Sequence, residues 1–479
     1  MPLVDLADGA VLLQTADPQA IAAALLEARP PGFLDAVPGA RTLLVLFDPA
    51  HFDTARLAGL RPPAGTPEPR TVRLAAVYDG PDLDAAAAEL GLPAAEMVRR
   101  HAAAEHRVAF LGFWPGFAYL TGGFALPRLR TPRVRVPAGS LAVADGYTAV
   151  YPTESPGGWR LIGRVAERLF DPARSPPSLL QPGDLVVFEP ALELPQMRPA
   201  LSQPPPRDPV LRVIAPGAFT TVQGGPRYGL ARYGVTAGGA MDLAALASAN
   251  ALAGNAPGAA GLEITLGGPE LEAVADLRVA LRGELRFLRR GERLRCGPVG
   301  SGLREYLAVE GGLEASLPGV ALRPLRPGDL LSRGEGAEKK TYYFSARPPP
   351  PSPAGTGGEI RAMRGPQWDF FEEPERFFST EWSLSPQSDR RGLRLQGPPL
   401  ALRHAPDIPP EGTAPGAVQV PGDGQPIVLG PDRPVTGGYA KIATVIWADL
   451  PLLAQARPGA RLRFREVTLA EAVAAARGN

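Results

Sequence analysis

Three arginines lie in local sequences suited to binding an anion. Arg133 stands in the run Pro-Arg-Val-Arg-Val-Pro, whose prolines keep the backbone extended and restrict the side chain. Arg227 lies in Gly-Pro-Arg-Tyr-Gly, and Arg390 stands between Asp389 and Arg391 beside a glycine. Because a guanidinium group can clamp a carboxylate or phosphate bidentately, we predict anion donors here, with Asp389 orienting one arginine. The alternatives are a surface arginine on an edge strand and a salt bridge within a turn.

Carboxylates and amides occur where they are either structural or functional. Asp242 precedes a helical pattern over residues 243–253, which predicts a helix N-cap at a terminus that can also bind an anion. Glu263 lies in a mostly apolar strand-like run, where a carboxylate is either paired or functional. Asn250 and Asn255 are two of only three asparagines in the sequence. We predict ligand contacts for both, with capping of the same short helix as the alternative.

An amide-reading surface is predicted near the C-terminus. Gln419 precedes a Val-Pro turn, and Thr436, Gly437, Gly438 and Tyr439 form a short polar and glycine-containing run. A substrate amide needs one hydrogen-bond donor and one acceptor, and a glutamine side chain or the backbone supplies both. We therefore count these residues among the candidate substrate-binding residues.

Three segments combine glycine and proline with aromatic residues: 111–123, 131–140 and 151–159. Glycine and proline break helices, whereas the aromatic side chains favour burial. Loops of this kind place backbone N–H groups and fixed side chains around a small ligand; the alternative is a barrel corner. The candidate binding residues in these segments are Pro115, Gly116, Tyr119, Gly139, Gly157 and Gly158.

Several catalytic signatures are missing from the sequence. It contains neither a phosphate-binding loop that ends in Gly-Lys-Ser/Thr nor a Gly-x-Ser-x-Gly nucleophile motif. His101 and His106 are five residues apart, which does not match the i, i+4 spacing of two ligands on one helix face. We expect capping or surface roles for both histidines, and the metal ligands, if any, stay unknown.

Composition limits the class of protein. The chain has 479 residues, a net charge of +1 and 45% hydrophobic residues, so nothing favours nucleic acid or an anionic membrane as a partner. No apolar run approaches the ~20 residues of a membrane span. The start lacks a leader pattern, and Cys296 is the single cysteine, so we expect a cytoplasmic protein. Scarce Asn and Cys with many prolines fit a thermophile or a GC-rich genome.

The pattern predicts a mainly β protein with an α/β N-terminal extension. Helical patterns cover residues 18–29 and 82–104, a buried strand is predicted at Thr42–Phe47, and short alternating runs follow Arg107. Two proline-rich stretches predict linkers. The predicted division is an α/β subdomain at 1–70, a β-barrel at 71–197, a linker at 198–209, a β-barrel at 210–345, a linker at 346–358 and a β-barrel at 359–479.

A repeated turn supports three related units. Gln181-Pro-Gly-Asp, Arg326-Pro-Gly-Asp and Arg457-Pro-Gly-Ala each precede a strand-like run near the end of a predicted unit. Proline fixes φ at the second position of a type II turn, and glycine accepts the positive φ at the third. We therefore predict that three related β-barrel units each end in the same turn and strand.

The amino-acid sequences of many segments resemble those of one known protein family. The three aromatic segments resemble the protein known as allophanate hydrolase subunit 1, KipI or the B-type subunit of 5-oxoprolinase. The chain from Pro216 onward resembles the usual partner, known as allophanate hydrolase subunit 2, KipA or the C-type subunit of 5-oxoprolinase. The matching segments there are 216–229, 239–242, 249–255, 263–269, 388–395, 419–426 and 436–439.

This resemblance implies three cyclophilin-like β-barrel units and the fused B-type and C-type subunits of an ATP-dependent 5-oxoprolinase. In such an enzyme ATP, usually with Mg²⁺, phosphorylates the amide oxygen of a lactam, 5-oxoproline, for hydrolysis to glutamate. Arg133, Arg227 and Arg390 would then stabilise phosphoryl charge, and glycine-rich loops would cradle phosphate. The chain lacks the A-type subunit, so a separate partner is expected, with possible homo-oligomers.

Two other functions follow from the same resemblance. The fused modules also occur as the carboxyltransferase region of urea carboxylase, which implies transfer of CO₂ from carboxybiotin to urea or a related amide. The required biotin carboxylase and biotin carrier are missing from this sequence. KipI-like proteins are known as inhibitors of a sensor histidine kinase, which gives a regulatory alternative.

Overall fold

The computed structural model describes residues 3–60, 69–129, 131, 133–195, 207–315, 323–334, 358–404 and 407–477. In chain order they form an N-terminal sheet, a closed barrel, a pair of packed sheets and a second closed barrel. Most of the predicted linker at 198–209 and all but the last residue of the linker at 346–358 lie outside the described residues. No helix of the described ranges is long and apolar enough to cross a membrane.

The N-terminal unit is an antiparallel sheet with one helix packed on it. The helix begins where predicted, because Asp17 accepts a hydrogen bond from the backbone of the third residue of the helix and proline takes the first position. The strand order is first, second, fourth, third. The elements are β1 (Leu3–Ala7), β2 (Ala10–Gln14), α1 (Pro18–Ala28), β3 (Phe33–Pro38) and β4 (Thr42–Phe47).

Asp8 joins this unit to the C-terminal barrel. Its Oδ1 accepts a hydrogen bond of 3.0 Å from the backbone N–H of Trp447, whereas the buried Oδ2 has no partner among the described residues. Burial raises the pKa of Asp8 to about 6. The contact is therefore only half satisfied.

The first barrel has seven strands, and a separate two-stranded sheet lies in the same part of the chain. The predicted helix over 82–104 is split in two near Gly91 and Pro93, because proline has no N–H and suits only a helix start. The elements are β5 (Thr71–Val77), α2 (Leu83–Glu89), α3 (Ala94–Ala103), β6 (His106–Leu111), β7 (Ala118–Leu120), β8 (Arg133–Val136), β9 (Ser140–Ala144), β10 (Tyr147–Val150), β11 (Ser155–Gly157), β12 (Arg160–Val165) and β13 (Leu185–Pro190).

His101 and His106 are buried in this barrel, so the predicted capping or surface roles are wrong. Their rings lie 4.5 Å apart between centroids, and Phe188 packs against both. Burial lowers the pKa of His101 to about 3. Both rings act here as aromatic core residues. The nitrogens of His101 lie against the Tyr78 and Thr148 hydroxyls, and those of His106 lie against two backbone carbonyls, of which a neutral ring can donate to one.

The middle unit packs a four-stranded sheet against a five-stranded one around a single apolar core. Its described residues do not close a barrel, in contrast to those of its two neighbours. The elements are β14 (Pro209–Ala215), β15 (Phe219–Gln223), α4 (Leu243–Leu252), β16 (Gly261–Thr265), β17 (Glu270–Ala273), β18 (Leu277–Leu281), β19 (Glu284–Leu288), β20 (Arg293–Arg295), β21 (Arg304–Val309) and β22 (Leu330–Ser332).

The C-terminal barrel again has seven strands, with a two-stranded sheet beside it. The elements are β23 (Glu359–Arg364), α5 (Arg376–Ser379), β24 (Glu381–Leu384), β25 (Gly392–Gln396), β26 (Asp407–Gly412), β27 (Ala417–Gln419), β28 (Ile427–Leu429), β29 (Thr436–Tyr439), β30 (Lys441–Val445), α6 (Leu450–Gln455), β31 (Arg461–Glu466) and α7 (Leu469–Ala476).

The two barrels share one topology. When the barrel strands are counted from the first in each, the order around both is 1-6-4-5-3-2-7. In both, the first and last strands form the one parallel pair, β5 with β13 and β23 with β31. The predicted Pro-Gly turns precede β13, β22 and β31, and their glycines have φ of +90°, +88° and +82°. The predicted turn geometry and the relationship between the outer units are confirmed.

Candidate functional site

Strand β29 lies against the first barrel and forms the junction between the two barrels. Thr436 is fully buried there, and its Oγ1 accepts a hydrogen bond of 2.8 Å from the Phe113 backbone N–H. Burial raises the pKa of Tyr119, and a hydrogen bond with Thr436 opposes that shift. A β-carbon at Gly112 would lie 2.2 Å from Thr436 Oγ1, so the contact requires glycine. The junction thus joins the first aromatic segment to the predicted amide-reading strand.

Four side chains form a buried polar cluster beside β29, which we call the Lys441 cluster: Gln367, Glu411, Gln419 and Lys441. Gln419 and Lys441 are paired directly across β27 and β30, so their side chains lie on one face. Lys441 is 0% exposed, and its Nζ is ion-paired with Glu411. Gln367 bridges them, donating to Glu411 at 2.9 Å and accepting from the Lys441 backbone at 3.0 Å.

One donor of the Lys441 cluster is unused. Gln419 is buried, and its Nε2 makes no hydrogen bond with the described residues. The amide lies over Gly437, where a β-carbon would come within 2.5 Å of Nε2. A buried amide N–H without a partner costs roughly 1–3 kcal/mol. Gln419 Nε2 is therefore an unpaired donor among the described residues.

The first barrel faces β29 with aromatic rings and one guanidinium group. A β-carbon at Gly438 would lie 3.1 Å from Arg128 Nη1, and Arg128 is ion-paired with Asp145 at 2.8 Å. The Tyr119 ring stands edge-on to Trp159, with centroids 5.6 Å apart. Gln419 lies against Gly437 and Arg128 lies against Gly438; because successive residues of a strand face opposite sides, the amide and the guanidinium lie on opposite sides of β29.

A second group of predicted residues forms an ion network between the middle unit and the C-terminal barrel. Arg390 donates at 2.6 Å to Glu263, Asp432 and the Gly239 carbonyl. Burial opposes ionisation of Glu263, but the charges of Arg390 and Arg304 outweigh it and lower its pKa. The Arg390 hydrogen bonds are all made within the protein, so this network joins two units instead of presenting a free donor.

Asp242 caps α4 as predicted. Its Oδ1 accepts from the Ala245 backbone at 2.9 Å, and its Oδ2 accepts from Gln455 of the C-terminal barrel at 2.8 Å. The Asp242 backbone N–H donates to the Tyr306 hydroxyl, which donates to Glu263. Both carboxylate oxygens therefore have partners, and the residue extends the ion network.

Arg133 and Asp389 lie in separate local pairs. Arg133 Nη2 donates to Asp82 at 2.6 Å within the first barrel, while its buried Nη1 has no partner in the described ranges. Asp389 pairs with Arg391, and both side chains are about half exposed. Since Arg133 and Arg390 are held by carboxylates of different units, they do not share one anion site.

Arg227 lines a glycine-rich cleft of about 620 Å³ in the middle unit, together with Arg333. The backbone N–H groups of Gly225, Gly311 and Gly334 all donate to protein oxygens, so they are not free to cradle a phosphate. Within the described ranges, no group of three or more His, Cys, Asp or Glu residues is arranged to hold a metal ion. The three glycine donors of the cleft are therefore already used within the protein.

Asn250 and Asn255 hold the chain that follows α4. Asn250 donates to the Ala259 carbonyl at 2.8 Å, and Asn255 donates to the Val309 carbonyl at 2.8 Å and to Asn250 at 3.0 Å. Both amides are therefore engaged in fixing a loop.

The remaining predicted residues shape the aromatic segments. Pro115 is buried, and Gly116 donates its N–H to a backbone carbonyl of the middle unit at 2.9 Å. Gly139 donates to a carbonyl of its own barrel at 2.7 Å, and the Gly158 carbonyl accepts a bond of 2.7 Å there. A β-carbon at Gly157 would lie 2.2 Å from a tyrosine hydroxyl. These residues position the aromatic wall, and the junction brings Tyr119 together with Thr436.

Sequence reasoning missed Gln367, Glu411 and Lys441. One signal was available for Lys441, because the sequence has only three lysines and this one lies within an apolar strand. Nothing local distinguishes Gln367 or Glu411, which reach the cluster from distant parts of the chain.

Comparison with known proteins agrees with this architecture. Residues 3–180 match the family model "Carboxyltransferase domain, subdomain C and D", and residues 233–466 match "Carboxyltransferase domain, subdomain A and B". The chain is 36% identical to the C-type subunit of 5-oxoprolinase from Escherichia coli K12 over 56% of this chain and 94% of that protein. It is 40% identical to the B-type subunit of 5-oxoprolinase from Escherichia coli O157:H7 over 34% of this chain and 80% of that protein.

A crystal structure of TTHA0988 aligns with a TM-score of 0.81 at 36% identity, covering 95% of this chain and 99% of that one. Each half of the chain therefore has relatives of its own, and a solved structure shows both halves in the same arrangement. The chain belongs to the carboxyltransferase-domain family that includes the B-type and C-type subunits of 5-oxoprolinase, with the two subunit types fused in the order B then C.

Proposed function

We propose that this chain is the fused B and C component of an ATP-dependent 5-oxoprolinase. The observation that carries the proposal is the unused Gln419 donor at the place where the B-like and C-like halves meet. A site built from both halves explains why the two subunit types are joined in one chain.

The ligand 5-oxoproline offers a lactam carbonyl, a ring N–H and a carboxylate. Gln419 Nε2 donates to the lactam carbonyl, which satisfies the buried amide. Lys441, ion-paired with Glu411, places a cation in the same cluster as this donor.

Activation of the lactam is assigned to ATP with Mg²⁺, which converts the amide oxygen into a leaving group. A separate A-type subunit is the proposed partner. This chain binds and orients the lactam, in an assembly that includes copies of both components.

The test is ADP release from MgATP and 5-oxoproline by the purified chain, with and without the A-type subunit. We expect release that depends on 5-oxoproline and on both components. A Gln419→Met variant should lower it, and Arg394→Gln, an exposed arginine on the same barrel, should not. Silence of the complete mixture would overturn the proposal.

A second candidate is carboxyl transfer to urea or a related amide, which is favoured by the two carboxyltransferase family models. Gln419 would then polarise the urea carbonyl in the same position. Consumption of carboxybiotin that depends on urea, with no ADP release from 5-oxoproline, would select this reaction.

A further inference from the structure

A cavity of about 530 Å³ lies between α4 and the C-terminal barrel, apart from the Lys441 cluster. Its walls are mostly apolar and include Met241, Leu243, Ala247 and Leu450. A cavity of this size and composition is typical of a small-molecule site that needs only a few polar groups for orientation.

Two arginines line this cavity, and they differ in their partners. Arg361 is held by Asp449, with Nη2 at 2.6 Å from Oδ1. Arg433 is only 4% exposed, and its guanidinium makes one hydrogen bond, from Nε to the Thr413 carbonyl at 2.9 Å. No carboxylate of the described residues forms an ion pair with Arg433. Its remaining N–H groups therefore have only the cavity to donate into.

The acids nearest to Arg433 are committed elsewhere. Asp432 accepts two hydrogen bonds from Arg390, and Asp35 accepts from the backbone N–H groups of Gly229 and Ala36. Burial lowers the pKa of Arg433 to about 10, although these acids oppose the shift. A buried cation without a counter-charge is costly unless an anion pairs with it.

A second donor stands at the same end of the cavity, where the Tyr228 phenol lines the wall beside Arg433. A guanidinium and a phenol together offer donors to both oxygens of one carboxylate.

We propose that this cavity binds a small organic monocarboxylate with an uncharged, largely apolar body, held by Arg433 and Tyr228. One guanidinium group neutralises one negative charge, and the apolar walls disfavour a second, so a phosphate dianion is excluded. The proposal does not depend on the oxoprolinase reaction, although 5-oxoproline belongs to this class of ligand.

Calorimetric titration of the full chain, without ATP or the A-type subunit, tests the proposal. The probes are cyclopentanecarboxylate, 5-oxoproline and 2-pyrrolidinone, which lacks the carboxylate. We expect cyclopentanecarboxylate to bind and 2-pyrrolidinone not to bind. Arg433→Met should weaken carboxylate binding at least about tenfold, because it removes a charge-assisted hydrogen bond. Arg394→Gln should leave the affinity unchanged.

Ala247→Phe serves as a second variant, because it fills the cavity from α4 and keeps Arg433 in place; its thermal midpoint shows whether it folds. Loss of binding in both variants supports the proposal. Absence of carboxylate binding to the parent chain at millimolar concentration, equal affinity in Arg433→Met, or equal binding of 2-pyrrolidinone overturns it. The 5-oxoproline titration shows whether the ligand is the proposed substrate, and ADP release decides the proposed function independently.

Discussion

Two of the buried polar groups of the C-terminal barrel differ in how completely they are paired. Toward the middle unit, Arg390 is surrounded by Glu263, Asp432 and a backbone carbonyl. Beside β29, Gln419 is equally buried but leaves an amide N–H unpaired. The contact through Arg390 is therefore fully paired, and we call it closed. The one at Gln419 keeps an unpaired donor, and we call it open.

The difference separates stabilisation from binding. A complete buried network holds units together and offers no donor to a ligand, whereas an incomplete one retains an unsatisfied group that a ligand can satisfy. Residue type alone would have ranked these regions in the reverse order, because arginines and carboxylates look more reactive than a glutamine.

Breaking the closed contact should have the largest effect on stability. Arg390→Ala leaves the buried Asp432 without its counter-ion and Glu263 with Arg304 alone, so we expect a loss of about 3–5 kcal/mol in the free energy of unfolding. Denaturant unfolding measures it. The adjacent Arg391→Ala, which breaks a half-exposed pair, is the matched control and should change the value by less than about 1 kcal/mol. Equal losses in both variants would contradict the assignment.

The half-satisfied contact at Asp8 should make the free energy of unfolding depend on pH. Its pKa is about 6 in the folded chain against a reference value of 3.8, so the folded state holds a proton that the unfolded state has released. This contribution to stability is present below pH 3.8 and is lost as pH rises through 6. In Asp8→Asn the fall in unfolding free energy between acidic and alkaline buffer should shrink by roughly 2–3 kcal/mol. The exposed Asp5→Asn should keep the dependence of the parent chain.

Removing the open donor should separate activity from stability. Gln419→Met deletes the unpaired amide, so we expect unchanged or slightly increased stability and a loss of about 10–100-fold in kcat/KM for the coupled reaction. A variant that loses stability and activity together would place Gln419 in the same structural category as Arg390.

Crowding the open donor should have a smaller effect. Gly437→Ala places a methyl group 2.5 Å from Gln419 Nε2, so the amide must move. We expect a loss of less than about tenfold in kcat/KM, since the donor is displaced and not deleted. In the Gln419→Met background the same substitution should add little to the loss of activity, because the donor that the methyl group displaces is already absent; additive losses would show that the two residues act separately.

Much of the fold follows from local signals. Asp17 and Pro18 define the start of α1, Asp242 defines the start of α4, and the Pro-Gly turns mark the final strands of three units. Each of these signals depends on a few neighbouring residues. Barrel closure depends instead on pairs far apart in sequence, such as Thr71 with Leu185, which no local pattern fixes.

The site was only partly predictable for the same reason. Tyr119, Gln419 and Thr436 stand in recognisable segments, but the sequence does not show which polar atom finds a partner. Arg390 and Gln419 are both polar residues in buried surroundings, and only their three-dimensional neighbours distinguish the satisfied group from the unsatisfied one.

The burial of Lys441 allows the opening of the junction to be followed by chemical labelling. Among the three lysines of the sequence, Lys441 has no exposed surface, so an amine-reactive acylating reagent can reach it only when the barrels separate or the C-terminal barrel unfolds. Mass spectrometry of the peptide that carries Lys441 would therefore time the opening of the junction in the unmodified protein, with no mutation and no introduced probe.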